Sequence, residues 1–95
     1  MMKDDEIRVA IVNLLKMYIR QPGPGDTDTN RYVVDGLVWA LTGARPKHVN
    51  FGDTTTLYHL LRDTCQIPCE LRDNTHHKWI EMDETWMKQH GVSLD

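Results

Sequence analysis

The sequence predicts an α+β fold, with three N-terminal helices, a β-hairpin and a short C-terminal helix in one small domain. Apolar residues recur at helical spacing through the first two thirds of the chain, which is typical of amphipathic helices. Beyond Cys65 the pattern changes to two strand-like segments separated by Asp73-Asn74, a pair that suits a tight turn. A chain of 95 residues makes one domain. We therefore expect a hairpin packed on a helical body.

The first helix is predicted over residues 4–20, where Asp4 can cap the start. Two prolines and two glycines within residues 22–25 prevent its continuation. Its apolar positions form one continuous stripe, expected to face the core. The stripe consists of Ile7, Ala10, Ile11, Leu14, Leu15 and Tyr18.

The second helix is predicted over residues 28–42, with Gly43 as its left-handed C-terminal residue. Its apolar residues nearly encircle it, which indicates a helix that is central or is covered by a partner chain, for example in a symmetric homodimer. Glycine inside a helix costs about 1 kcal/mol relative to alanine, so we expect Gly36 to permit close packing against helix one. The predicted main stripe is Val33, Leu37, Ala40 and Leu41, and the apolar residues outside it are Tyr32, Val34, Val38 and Trp39.

The third helix is predicted over residues 53–64, with Asp53 or Thr54 as its cap. An irregular connection, residues 44–52, precedes it and carries Arg45, Lys47 and His48 without any acid. The residues at the centres of the predicted apolar faces are expected to be buried and in mutual contact. They are Leu14, Leu37, Leu41, Leu57, Leu60 and Ile80.

The hairpin is predicted over residues 67–82. A two-residue turn would pair Leu71 with His76, and a four-residue loop would pair Leu71 with Lys78. Because side chains alternate along a strand, both registers place the same residues on the inner face and Trp79 on the outer face. The inner residues are Cys69, Leu71, Ile80 and Met82.

The last helix is predicted over residues 83–90, with Asp83 as cap. Gly91 suits the left-handed position after it, and Val92 can then contact Met87, as a Schellman motif requires. Trp86 on this helix either covers Trp79 in a small satellite core or stays available for binding.

The composition of the chain argues against nucleic-acid binding and against a membrane location. The net charge of −3 lowers the expectation of sequence-independent DNA binding, which depends on neutralising phosphates. No apolar run approaches the ~20 residues of a membrane span, and the acidic N-terminal residues do not resemble a signal peptide. We expect a cytoplasmic protein, without a membrane partner, whose two cysteines are reduced thiols.

Cys65, Cys69, His76 and His77 form the only metal-like set. Adjacent histidines on a strand point to opposite faces, and zinc needs four converging ligands, so we expect neither a metal nor another cofactor. A nucleophilic cysteine would need an exposed thiol of low pKa beside a histidine, whereas these thiols are predicted to be buried. With no phosphate loop or dinucleotide motif in the chain, we expect no enzymatic activity.

A winged-helix-like nucleic-acid-binding regulator is the alternative function. Helix 53–64 would read the groove and the hairpin tip, residues 72–78, would be the wing. The connection before this helix is longer than the three or four residues of a helix-turn-helix. Asp53 and Asp63 also bracket the reader with the wrong charge.

The favoured function is a small non-enzymatic interaction protein that acts as a regulator, an inhibitor or a subunit of a larger protein assembly. We expect it to bind an acidic protein partner, of an identity the sequence does not specify, through the hairpin surface. Tryptophan, tyrosine and arginine dominate binding hot spots, which directs attention to Trp79 and the cations around it. The predicted partner-binding residues are Arg72, His76, His77, Lys78 and Trp79, together with Arg45, Lys47 and His48.

Overall fold

The structure is a computed structural model that describes residues 3–21, 31–47 and 49–95. Its helices and its two-stranded antiparallel hairpin confirm the predicted α+β class. In the described part of the chain, no helix is both long enough and apolar enough to cross a membrane. The elements are α1 (Asp4–Arg20), α2 (Arg31–Thr42), α3 (Thr54–His59), a π-helical turn (Leu60–Thr64), β1 (Cys69–Asp73), β2 (Lys78–Met82) and α4 (Glu84–Gln89).

Helix α1 has the predicted bounds and supplies a central stripe of the core, but its N-cap position is Lys3, without a side-chain capping bond, so the predicted cap at Asp4 is wrong. Both α2 and β2 pack against it. The buried arc is therefore wider than the predicted stripe on one side, where Val12 and Ile19 are buried, whereas Leu14 and Tyr18 on the other side are only half-buried. The fully buried members of the arc are Ile7, Ile11, Val12, Leu15 and Ile19.

Helix α2 faces the core with a different side from the one predicted. Val34 and Val38 are buried at 0% and 1% exposure, whereas Val33 of the predicted stripe is 52% exposed. The cause lies at Arg31, which donates a hydrogen bond to the Val49 carbonyl and places its guanidinium 4.4 Å from the centre of the Phe51 ring. This anchor turns the side of α2 that carries Arg31 inward. Residues 28–30 of the predicted helix lie outside the described residues.

The expected core centre is therefore confirmed in part. Leu57, Leu60 and Ile80 are buried. The leucines of α1 and α2 that were predicted to lie at the core centre pack against this core and are only partly buried. They are Leu14, Leu37 and Leu41.

The predicted third helix is α-helical only up to His59 and continues as the π-helical turn. Asp53 caps α3 as predicted, accepting a hydrogen bond from the Thr56 amide at 3.1 Å. At the far end the Cys65 amide donates to the Leu60 carbonyl, five residues back, at 3.0 Å. This wider turn delivers Cys65 to the core, where it is 0% exposed.

The hairpin has a register that differs from both predictions, since Leu71 lies opposite Ile80 and Cys69 opposite Met82. The loop between the strands is residues 74–77. The Asn74 side chain closes this loop by accepting hydrogen bonds from the His76 amide at 2.7 Å and the His77 amide at 2.9 Å. Cys69, Ile80 and Met82 of the predicted inner face are buried and Leu71 is half-buried. The shift does not exchange the two faces, because the register moved by an even number of residues.

The C-terminal helix α4 confirms the predicted capping. Asp83 accepts a hydrogen bond from the Trp86 amide at 2.8 Å. Gly91 adopts φ +65°, and the Val92 amide donates to the Met87 carbonyl at 2.9 Å, the long hydrogen bond of a Schellman motif. The helix spans six residues and brings Trp86 to 8% exposure against the core.

Two valines of α2 test its rotation with the same substitution. Val38→Ala should lower the free energy of unfolding by about 2 kcal/mol, because it removes buried methyl groups and leaves a cavity. Val33→Ala should change the unfolding free energy by less than about 0.5 kcal/mol, because Val33 is on the solvent side. Urea unfolding of dilute protein, followed by circular dichroism, gives both values. A larger loss of unfolding free energy at Val33 than at Val38 would show that α2 faces the core with the side predicted from the sequence.

Gly36 offers a second test, since the predicted close packing of helix one against it is wrong. It is exposed, and a Cβ added there meets no atom of residues 3–21, 31–47 and 49–95 within 4 Å. Gly36→Ala should therefore raise the free energy of unfolding of the dilute monomer by about 0.5–1 kcal/mol through helix propensity alone. The same urea titration measures it. Destabilisation would reveal a steric constraint at Gly36 that the described residues do not impose.

Candidate functional site

The solvent side of α2 is apolar. Tyr32 is 84% exposed, Trp39 51% and Val33 52%, and the exposed Gly36 and Ala40 lie among them. Successive residues of a helix are about 100° apart, so these five positions share the side opposite Val34 and Val38. We call this surface the outer face of α2, defined as Tyr32, Val33, Gly36, Trp39 and Ala40. It contains no charged side chain.

Opposite charges flank the outer face along one edge. The Arg45 guanidinium carbon lies 6.0 Å from the centre of the Trp39 ring, at the limit of a cation–π contact. The chain after α2 thereby folds back alongside the helix and bounds a recess of about 310 Å³. Asp35, half-buried, lies on the same edge as Arg45. The recess is lined by Tyr32, Asp35, Gly36, Trp39, Arg45 and Pro46.

The hairpin tip carries the other predicted partner-binding residues. Arg72, His76, His77 and Lys78 are exposed. Trp79 is half-buried rather than fully exposed, and its ring centre lies 5.2 Å from that of His77. The tip residues are thus available to a partner, whereas the tryptophan presents only part of its surface.

Acidic residues accompany the cations of the hairpin. The Arg72 guanidinium Nε lies 3.3 Å from a Glu81 carboxylate oxygen. Asp73 lies directly opposite Lys78 in the strand register. An attraction to acidic partners that depends on these cations is weakened by the neighbouring carboxylates, because opposite charges at short range offset each other's field.

The remaining predicted residues lie beside the helices. Arg45 borders the outer face of α2, as described above, and Lys47 borders a groove of about 420 Å³ against α3 and the π-helical turn. His48 lies outside the described residues. The outer face of α2 was not among the predicted partner-binding residues, although a partner chain over α2 was considered. The signal lay in Tyr32 and Trp39, two of the apolar residues outside the predicted main stripe.

Polar side chains of the predicted reader helix already contact other groups of the protein. Arg62 donates a hydrogen bond to the Cys69 carbonyl and lies 3.3 Å from the Glu70 carboxylate. The His59 Nδ1 lies 2.8 Å from the Asp63 carboxylate. Arg62 thus joins the π-helical turn to the hairpin, a structural role that draws its charge away from solvent ligands.

A polar cluster joins the two ends of the described chain. Arg8 donates from Nε to the Cys65 carbonyl at 2.8 Å and from Nη1 to Asp5 at 2.9 Å. His90, whose ring stacks on Trp86 at 4.6 Å between centres, approaches Asp5 at 3.4 Å. The hydrogen bond from Arg8 and the contact with His90 hold the pKa of the Asp5 carboxyl below its usual value. These groups satisfy one another and serve the fold.

The two thiols are buried, as predicted. Burial raises the pKa of Cys65 to about 12 and that of Cys69 to about 11. A thiol acts as a nucleophile or metal ligand in its deprotonated form, which these environments disfavour. Across residues 3–21, 31–47 and 49–95, no three His, Cys, Asp or Glu side chains come together as a metal site would require.

The raised pKa values predict a loss of stability in alkali. In the unfolded chain the thiols ionise near pH 9, whereas in the folded chain they stay protonated up to about pH 11. The folded state binds more protons in this interval, so the free energy of unfolding falls as the pH rises, by about 2 kcal/mol in total between pH 9 and 10. Urea unfolding at several pH values measures this slope.

The control for this slope is the double variant Cys65→Ala, Cys69→Ala. It should lose the part of the alkaline slope that comes from the thiols, whatever its stability at neutral pH. Identical slopes in the wild type and the double variant would show that the thiols ionise as readily in the folded state as in the unfolded state.

Comparison with known proteins found no relative of this chain. No family model matches it, and searches of the curated proteins and of the solved structures gave no match. A proposal for the function therefore rests on the exposed apolar face of α2, its flanking charges and the hairpin tip.

Proposed function

We propose that this protein is a small non-enzymatic interaction protein, a regulator, inhibitor or subunit of a larger assembly, whose binding surface centres on the outer face of α2. The observation that carries the proposal is the exposure of Tyr32 and Trp39 on a helix side without charges. Exposed apolar patches rimmed by polar groups mark interaction sites. Trp39 beside Arg45 also combines two of the residue types that dominate binding hot spots.

The outer face of α2 is better suited to a central contact than the hairpin tip. Burying an exposed aromatic ring removes about 150–250 Å² of surface from water at full burial, and each Å² of apolar surface contributes about 25 cal/mol. At the hairpin, Trp79 is already half-buried, and Arg72 is accompanied by Glu81. We propose that the exposed residues at the tip form a secondary contact, whose charges act mainly on association rate and salt dependence.

The non-enzymatic part of the proposal is supported by the protonated, buried thiols. The proposal places the protein in the cytoplasm, where free thiols such as these remain reduced. The winged-helix alternative receives no support from the described contacts, because Arg62 of its reader helix is held by the hairpin.

Site-specific photo-crosslinking tests the proposal and captures a partner of any identity. A photoreactive amino acid is introduced at Tyr32, at His76 or at Met17, and the adducts formed in the cells that make the protein are identified by mass spectrometry. Met17 is the matched control, since it is 74% exposed on α1 and belongs to neither of the two surfaces as defined. We expect defined protein adducts from Tyr32, fewer from His76 and only background from Met17.

The second variant is Trp39→Ala, combined with the photoreactive group at Tyr32. This variant must keep a melting temperature close to that of the protein with Trp39 intact. We expect this because Trp39 is half-exposed. The Tyr32 adducts should fall at least about tenfold, as loss of a hot-spot tryptophan costs about 2 kcal/mol of binding. Background-level crosslinking at Tyr32, or adducts from His76 alone, would overturn the assignment to α2.

A further inference from the structure

We propose that the partner of the outer face of α2 is the same face of a second copy of this chain, packed antiparallel about a twofold axis at Gly36. This inference rests on the proposed function and names the partner of its site. In a twofold interface both chains use the same patch. If one residue of the first chain contacts a second residue of the partner copy, that second residue of the first chain contacts the first residue of the partner copy. The outer face of α2 meets this condition through the sizes of its side chains and through the positions of the two charged residues beside it.

The sizes match across the axis. In an antiparallel pair centred on Gly36, residues equally far before and after this position lie at the same height. Tyr32 of one copy therefore lies at the height of Ala40 of the other, and Val33 at the height of Trp39. Each level then holds one larger and one smaller side chain, and the missing side chain of Gly36 lets the two helices approach closely where they cross.

The space beside Gly36 supports this arrangement. Among the described residues, no atom lies within 4 Å of a Cβ built at Gly36, so packing within that part of the chain does not require glycine there. Glycine in a helix interior is nevertheless unfavourable by about 1 kcal/mol. The adjoining recess of about 310 Å³ has room for an aromatic side chain from a second copy. Contact with another backbone is a sufficient reason for glycine at this position.

The charges match as well. Asp35 and Arg45 lie on the same edge of the outer face, and the Arg45 guanidinium is near the height of Trp39 because it lies over that ring. Across the twofold axis this height falls beside Val33 and Asp35 of the second copy. Asp35 of each chain therefore lies near Arg45 of the other chain, and two Asp35–Arg45 ion pairs form in the dimer. A heterologous partner has no such built-in match.

A charge exchange between two variants tests this arrangement. The Asp35→Arg chain has two cations at the proposed contact, and the Arg45→Asp chain has two acids. Each variant alone should dimerise at least about tenfold more weakly than the wild type, because like charges meet twice across the axis. Mixed in equal amounts, they should form a heterodimer close to wild-type affinity, since both ion pairs are restored. Sedimentation equilibrium over a range of concentrations measures all three.

Lys47→Asp is the matched control, as it makes the same charge change two positions from Arg45, beside a different groove. It should dimerise like the wild type, and circular dichroism should show each variant to be folded. Wild-type protein that stays monomeric at every concentration, or a mixture no tighter than the single variants, would overturn the inference. Crosslinking of Tyr32 to a different protein would then still uphold the proposed function, whereas crosslinking to nothing would remove both.

Discussion

The anchoring of Arg31 between the Val49 carbonyl and the Phe51 ring decides how α2 is rotated about its own axis. The exposure of Tyr32, Val33 and Trp39 follows from that rotation. With Arg31 inward, Val34 and Val38 must also turn inward, because they lie on the same side of the helix. The aromatic residues of α2 are then left in solvent. Phe51 belongs to the core itself, at 1% exposure, so the anchor is tied to the buried interior of the fold.

This arrangement explains why a folded domain displays Tyr32 and Trp39. Chains of this size bury only about 60–65% of the surface that the unfolded chain exposes. Helix α1 occupies the inner side of α2 and also packs against β2 of the hairpin. The described elements leave the outer face uncovered, and an exposed apolar surface of this kind favours association. The proposed dimer extends the same hydrophobic driving force from the core to the surface.

Features with local causes could be predicted from the sequence. The cap at Asp83, the left-handed Gly91 and the contact of Val92 with the Met87 carbonyl depend on a few neighbouring residues. The inner face of the hairpin was also predictable, since alternation along the strands survives any even shift of register. Burial of the thiols followed from that alternation and from the end of the third helix.

The rotation of α2 could not be predicted, because a helix with apolar residues nearly all round offers no single preferred side. A contact from Val49 and Phe51, both distant in sequence, settles it. The hairpin register depended on the Asn74 side chain, which closes a loop that Asp73-Asn74 alone does not specify. The residues of the candidate site could not be assigned for the same reason as the rotation: Val33 was expected in the core and is exposed.

The measurement that tests the central claim most directly is an amide NMR spectrum recorded over a dilution series. We predict that the signals that shift with concentration lie mainly in α2 and in the chain around Arg45. Signals from the hairpin tip and from α4 should stay in place. Concentration-dependent shifts centred on the hairpin, or a spectrum unchanged from micromolar to millimolar protein, would contradict the claim that α2 presents a self-complementary binding face.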